Sequence, residues 1–171
     1  PPVPPTATPT PLPVAWPPAA GSAPLQIDEV YYHTADQEYI VLRNAGAAPL
    51  DLGGWLVGDA AAPGGREGVV ALPAGYLLNP GGLFVLAHSA PGFQSEWGRA
   101  PNAEWSDGDP AVLTLAHQTA LASGEIALND AGDEVILLDP AGRLADALAY
   151  GDGEGRGLGL AGRLTCPARC S

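Results

Sequence analysis

Histidines, acids, cysteines and nucleophilic hydroxyls are where chemistry would start, and this chain offers few arrangements of them. The three histidines are His33, His88 and His117. None stands at a short metal-ligand spacing from another, and no HExxH run occurs. His88–Ser89 puts a base beside a hydroxyl, but the glycine-flanked elbow that exposes a nucleophilic serine is missing. The histidines therefore read as polar residues at strand ends, and no catalytic residue is assigned. Acidic loops are more frequent: SDGDP with Asp107 and Asp109, NDAGDE with Asp130, Asp133 and Glu134, and YGDGEG with Asp152 and Glu154. Hard oxygens in a flexible loop suit calcium, which makes Asp107 and Asp109 the calcium candidates. The same residues form turns without any ion, and EF-hand spacing is absent. No other cofactor is expected. Cys166 and Cys170, in CPARC, lack further nearby ligands for a metal. A local disulfide is the first reading and a bond to another chain the second; both belong to an oxidising compartment.

Composition narrows the partners. The chain has 171 residues, net charge −12, no Lys and seven dispersed Arg. Phosphate binding needs a basic surface, so nucleic acid is not expected as a partner, and the acidic balance argues equally against anionic lipid. No run of 18 apolar residues occurs, so no direct membrane insertion is expected. The opening PPVPPTATPTPLPV has neither initiator Met nor signal peptide. It reads as a processed chain that has lost its leader, and extracellular or cell-surface placement is the expectation.

The elements that must position these residues follow from punctuation and periodicity. Residues 1–24 hold ten of the 19 prolines. Pro removes the amide donor, so this is an extended arm rather than helix or central strand. Its threonines, Thr6, Thr8 and Thr10, alternate with Pro and Ala in a composition common in glycosylated stalks. Val3, Leu12, Val14 and Trp16 are its anchoring candidates. Strands are expected at Leu25–Tyr32, Glu38–Asn44, around LDLGGWLVGD, and at Gly68–Pro73, Gly82–His88, Gly124–Asp130, Asp133–Asp139 and Leu144–Tyr150, with turn signals between them. Such spacing predicts an all-β sandwich or barrel. FQSEWG is expected to make one helical turn. Gly53–Gly54 reads as a bulge or kink within a strand, with Trp55 filling the space between sheets. Residues 151–171 form a Gly-rich tail.

With these residues in order, the stretches IDEV, EYIVLRNAG, LDLGGWLVGD, LPAGYLLNPGGLFVL and LNDAGDEVILLDPAGRLADALAY together resemble the lamin tail domain, in the form that occurs in secreted bacterial proteins. The resemblance spans about Leu25 to Tyr150. It implies an immunoglobulin-like β-sandwich over residues 25–150, with Tyr39, Leu42 and Trp55 in the core signature, and a role in interaction or tethering rather than catalysis. Two departures stand out. Val41 occupies a position where the family often carries an acid, which implies a covered surface. The segment at about 95–123, with Trp97, Trp105 and an apolar run, is longer than usual and is expected to cover a sheet edge or make an interface.

Two functions are carried forward. In the first, the chain is a non-enzymatic subunit of an extracellular bacterial filament or surface layer. Copies of itself are then its partners, and the N-terminal arm lies in a groove of a neighbouring subunit. In the second it is a binding or anchoring module of a larger surface protein, and Trp97 and Trp105 meet a glycan or protein ligand.

Overall fold

The computed structural model describes residues 23–59, 66–106 and 108–151. The strands in chain order are β1 Leu25–Tyr31, β2 Tyr39–Asn44, β3 Leu50–Asp51, β4 Leu56–Gly58, β5 Val69–Ala71, β6 Leu77–Leu78, β7 Leu83–Ala87, β8 Ala103–Glu104, β9 Leu113–Thr114, β10 Gly132–Leu138 and β11 Leu144–Gly151. One helix, α1 Ala90–Trp97, lies between β7 and β8. Two main sheets form, in the orders β1-β2-β7-β8-β9 and β11-β10-β4-β5, with β3-β6 as a small third pair. This is the expected all-β sandwich.

Alternation decides what each strand buries. Ile40 and Leu42 of β2, Phe84 and Leu86 of β7, Val57 of β4 and Val135 and Leu137 of β10 meet between the sheets, together with Trp55 and Trp105. The other face of the first sheet carries Tyr39, Val41, Val85 and Ala87, packed with Phe93 of α1. β7 and β8 pair in parallel, and parallel neighbours need a crossover rather than a tight turn. α1 supplies that crossover, which is why it lies on this face and why Val41 is covered. Ser89 caps the helix by accepting the Gly92 amide, and Gly98 at φ +69° ends it. The helix is two turns long, not one. Its early Pro91 is tolerated because first-turn amides have no helical partner.

Two further expectations change. Gly53–Gly54 is a turn, not a kink inside one strand. The Trp55 amide donates to the Leu52 carbonyl, and Gly54 sits at φ +82° against Pro140. The turn moves the chain from the small pair into the second sheet, and Trp55 is then buried in the core as expected. Gly124–Asp130 is extended but is not a ladder strand. Ile126 and Leu128 are buried, so the alternation held. Side-chain carboxylates replace strand partners: Asp59 accepts the Ala127 amide at 2.9 Å and Glu38 the Leu128 amide at 3.3 Å.

The sheet margins are tied to each other. At one margin Asp146 of β11 accepts the Ile27 amide of β1 at 2.9 Å. At the other, residues 116–118 pair with β5: Ala71 donates to Ala116, Gln118 donates to Val69, and Val70 faces His117. The long segment after α1 therefore covers sheet edges, through β8, β9 and this bridge. Covered edges resist strand addition by another chain.

Candidate interaction surface

Four aromatic rings gather where α1 crosses the first sheet. Tyr31 and Tyr39, opposite each other on β1 and β2, stack with centroids 5.4 Å apart and planes within 5°. The Trp97 ring stands nearly perpendicular to both, 5.5 Å from each. Phe93 meets Tyr39 edge-on at 5.3 Å, and the Arg99 guanidinium lies 5.3 Å from the Phe93 centroid. The Tyr39 hydroxyl donates to Glu29 at 2.6 Å. Burial, then this bond, holds its phenol above the ordinary range. Phe93 and Tyr39 are buried whereas Trp97 is 40% exposed. The result is a rigid aromatic floor with one large ring open to solvent, edged by a cation and a carboxylate.

The two tryptophans of the long segment have opposite fates. Trp105 has no exposed surface, and its indole N–H donates to the Ile126 carbonyl at 3.1 Å. It cannot be a ligand platform, which corrects the expectation that paired it with Trp97. Tyr39 also differs in place from Leu42 and Trp55. The latter two lie between the sheets, while Tyr39 belongs to the cluster under α1.

Beneath α1 lies a residue that sequence reasoning passed over. Glu104 is fully buried. Its carboxylate accepts the amides of Ala90 (2.7 Å), Gly108 (3.0 Å) and Asp109 (3.1 Å) and the Thr114 hydroxyl (3.2 Å). One side chain thereby fixes the start of the helix, the 108–109 loop and β9. The carboxylate of Asp109 accepts the Ala111 amide, a turn role; Asp107 lies outside the described residues. Among the described residues no group of three His, Cys, Asp or Glu is placed to hold a metal ion. The arm candidates Val3, Leu12, Val14 and Trp16, the threonines Thr6, Thr8 and Thr10, and Cys166 and Cys170 also lie outside the described residues.

The histidines take structural positions. His117 Nε2 donates to the Trp105 carbonyl at 2.8 Å, and His88 packs edge-on against the Trp105 ring at 5.7 Å. His33 lies 3.5 Å from Asp130. The Ser89 hydroxyl beside His88 is engaged as the helix cap.

Two buried acids set the electrostatics at the seam between the sheets. Burial pushes the Glu38 carboxyl up to about 7, opposed by the Leu128 amide and reinforced by Asp130, Asp133 and Asp59. Burial also pushes Asp59 up to about 7, opposed by the amides of Ala127 and Gly68. Gly68 and Gly124 allow the backbones to close around Asp59: a Cβ on Gly68 would overlap the backbone at Glu125–Ile126, and one on Gly124 the backbone of Arg66. No motif announces this arrangement. Its one signal is an acid at the end of each of two apolar strands.

Comparison with known proteins places the geometry. The Lamin Tail Domain family model matches residues 18–152. Among solved structures, a DUF4876 family protein from Bacteroides thetaiotaomicron superposes with a TM-score of 0.53 at 17% identity, covering 68% of this chain. This chain spans 42% of that protein's length, and the likeness is one of fold alone. No curated protein matches.

Proposed function

Because the chain belongs to the lamin tail domain family, we propose that it is a non-enzymatic binding module of the cell exterior, and that its recognition surface is the aromatic floor around Trp97. One observation carries the reading: Trp97 stands 40% exposed on Tyr31, Tyr39 and Phe93, beside Arg99. Trp, Tyr and Arg are enriched among the residues that dominate protein interfaces. The partner is a protein surface that covers Trp97 and offers an acid to Arg99. Neither nucleic acid nor lipid is proposed, given the net charge of −12.

The test compares the native domain with Trp97→Ala for binding to extracellular proteins of the source cell and to a glycan array. Trp97→Ala is expected to keep its fold by circular dichroism and to lose at least tenfold in protein affinity. Equal binding by both, or glycan binding alone, would sink the reading.

A second reading, the repeating subunit of a filament or surface layer, draws on three exposed leucines: Leu77 (64%), Leu83 (50%) and Leu113 (50%). Isolated exposed leucines are ordinary, which makes this the weaker support. Electron microscopy of unreduced native material decides it, since monodisperse single particles exclude a polymer.

A further inference from the structure

Residues 124–130 join the two sheets without entering either. Glu125, Ala127 and Asn129 are exposed, while Ile126 and Leu128 are buried in the core. Along extended chain, successive amides point to opposite sides, and here two consecutive amides meet acids from different sheets. Ala127 donates to Asp59, just after β4 of the second sheet, at 2.9 Å. Leu128 donates to Glu38, just before β2 of the first sheet, at 3.3 Å. The Gly124 amide donates to the Glu67 carbonyl, the Ile126 carbonyl accepts the Trp105 indole, and the Asn129 amide donates to Asp133. The segment is therefore a strap across the seam, fastened largely by side chains.

The two acids hold it differently. Glu38 is 5% exposed and Asp59 1%. Asp59 accepts one amide on each oxygen, Gly68 at 2.6 Å and Ala127 at 2.9 Å. The Leu128 bond to Glu38 is long for an amide facing a charged carboxylate. Around Glu38 stand further acids: Asp130 on the strap, Asp133 beyond it and Asp59. Tyr150 of β11 feels the Glu38 charge. His88, just after β7, donates its amide to the Glu38 carbonyl, and its ring lies 3.8 Å from Asp36. His33 lies 3.5 Å from Asp130, Glu67 opposes the charge of Asp59, and Arg66 meets the strap through its backbone under Gly124. One long amide bond does not replace the water that a carboxylate loses on burial, and the neighbouring acids oppose its charge.

We propose that the 124–130 strap is a pH-sensitive buckle, closed while the Glu38 carboxyl is neutral and released at its Leu128 end when that carboxyl ionises. The neutral acid accepts the Leu128 amide through its carbonyl oxygen and places no charge beside Asp130 and Asp133. The ionised acid is better solvated with the strap lifted, which also carries Asp130 away from it. Burial first, then these acids, raise Glu38 from 4.5 to about 7, so the closed strap binds the proton more tightly than the open one. Closure keeps this support in full below about pH 4 and loses it as pH rises through about 7. Asp59 titrates in the same window, and its two shorter amide bonds oppose release at Ala127. Opening is local because no ladder ties the strap to a sheet. It bares Ile126 and Leu128 and takes the acceptor from the Trp105 indole.

This inference stands apart from the reading of the Trp97 surface, and its test uses different residues. Amide exchange of the full chain is followed by NMR at pH 5 and pH 8, each rate divided by that of an unstructured peptide at the same pH. The Leu128 amide is expected to lose about tenfold or more of its protection between the two. At both pH values it is expected to be less protected than Ile136 in β10 and insensitive to low urea, as a local opening must be. Glu38→Gln, which keeps the carbonyl acceptor and cannot ionise, is expected to abolish most of the loss. Equal protection at pH 5 and pH 8 would overturn the buckle. So would Leu128 matching Ile136 in protection and urea dependence, since the strap would then open only with the whole sandwich. An undiminished loss in Glu38→Gln would overturn it as well. If Glu38→Gln does not fold, Asp130→Asn replaces it: its side chain is 74% exposed, and removing its charge is expected to shrink the loss. An unchanged loss there would count equally against the buckle.

Discussion

The two sheets cover their outer faces by different means. On the first, the cover is α1, introduced by a parallel crossover between β7 and β8 and made of aromatic rings over Val41 and Val85. On the second, the cluster is aliphatic and, among the described residues, its hydrophobic members come from β4, β10 and β11. A helix held by Glu104, a cap and a cation–π contact is a lid, and its part-exposed Trp97 stands on Tyr31 and Tyr39. The difference teaches that a local insertion of aromatic residues covers one outer face, while the other presents aliphatic residues of the strands themselves.

The largest effect that sharpens this contrast is expected at Phe93. It is 1% exposed and ties α1 to Tyr39. Phe93→Ala should cost about 3–5 kcal/mol in chemical unfolding and free the helix. A cost below ~1 kcal/mol would mean that the helix is not a lid. Next is Ile136→Ala on the opposite face. It should cost about 2–4 kcal/mol in chemical unfolding, the value for a fully buried aliphatic. A cost below ~1 kcal/mol would mean that this face contributes little packing.

A third measurement acts on the seam that both faces share. Glu38 and Asp59 are raised from 4.5 and 3.8 to about 7, so the folded chain binds protons more tightly than the unfolded one. Stability should therefore be greatest below about pH 4 with respect to these two groups and fall as pH rises to about 7. Urea unfolding from pH 4 to pH 8 checks the sign. A rise over that window, with Glu38→Gln and Asp59→Asn leaving the slope unchanged, would contradict it. The smallest effect concerns the start of the lid: Ser89→Ala should cost about 1 kcal/mol through the lost cap. Amide exchange should quicken in α1 and leave β10 and β11 unaffected; if all three change together, the lid and the second sheet are one cooperative unit.

Much of the fold was legible in the residues because a strand half-buried in a sandwich must alternate. β2 shows this directly: Ile40 and Leu42 face the core while Tyr39 and Val41 face the helix, and the apolar Val41 already implied a cover. The turn residues marked most boundaries correctly. The same pattern misassigned Gly124–Asp130, because alternation reports which side chains are buried and not what pairs with the backbone. Carboxylates 68 and 90 positions away in sequence supplied those partners. Trp97 and Trp105 illustrate the harder limit. They are eight residues apart on one segment and nothing local separates them, yet one ends on the surface and the other within the core.

The residues by themselves determined the all-β class, the resemblance to the lamin tail domain and the core role of Trp55. These depend on periodicity and motif, which are properties of the chain read in order. Tertiary structure alone decided which tryptophan is displayed and where Glu104 and Asp59 find their amides. Each of those depends on distances between residues far apart in the chain, and such distances exist only once the sheets have packed.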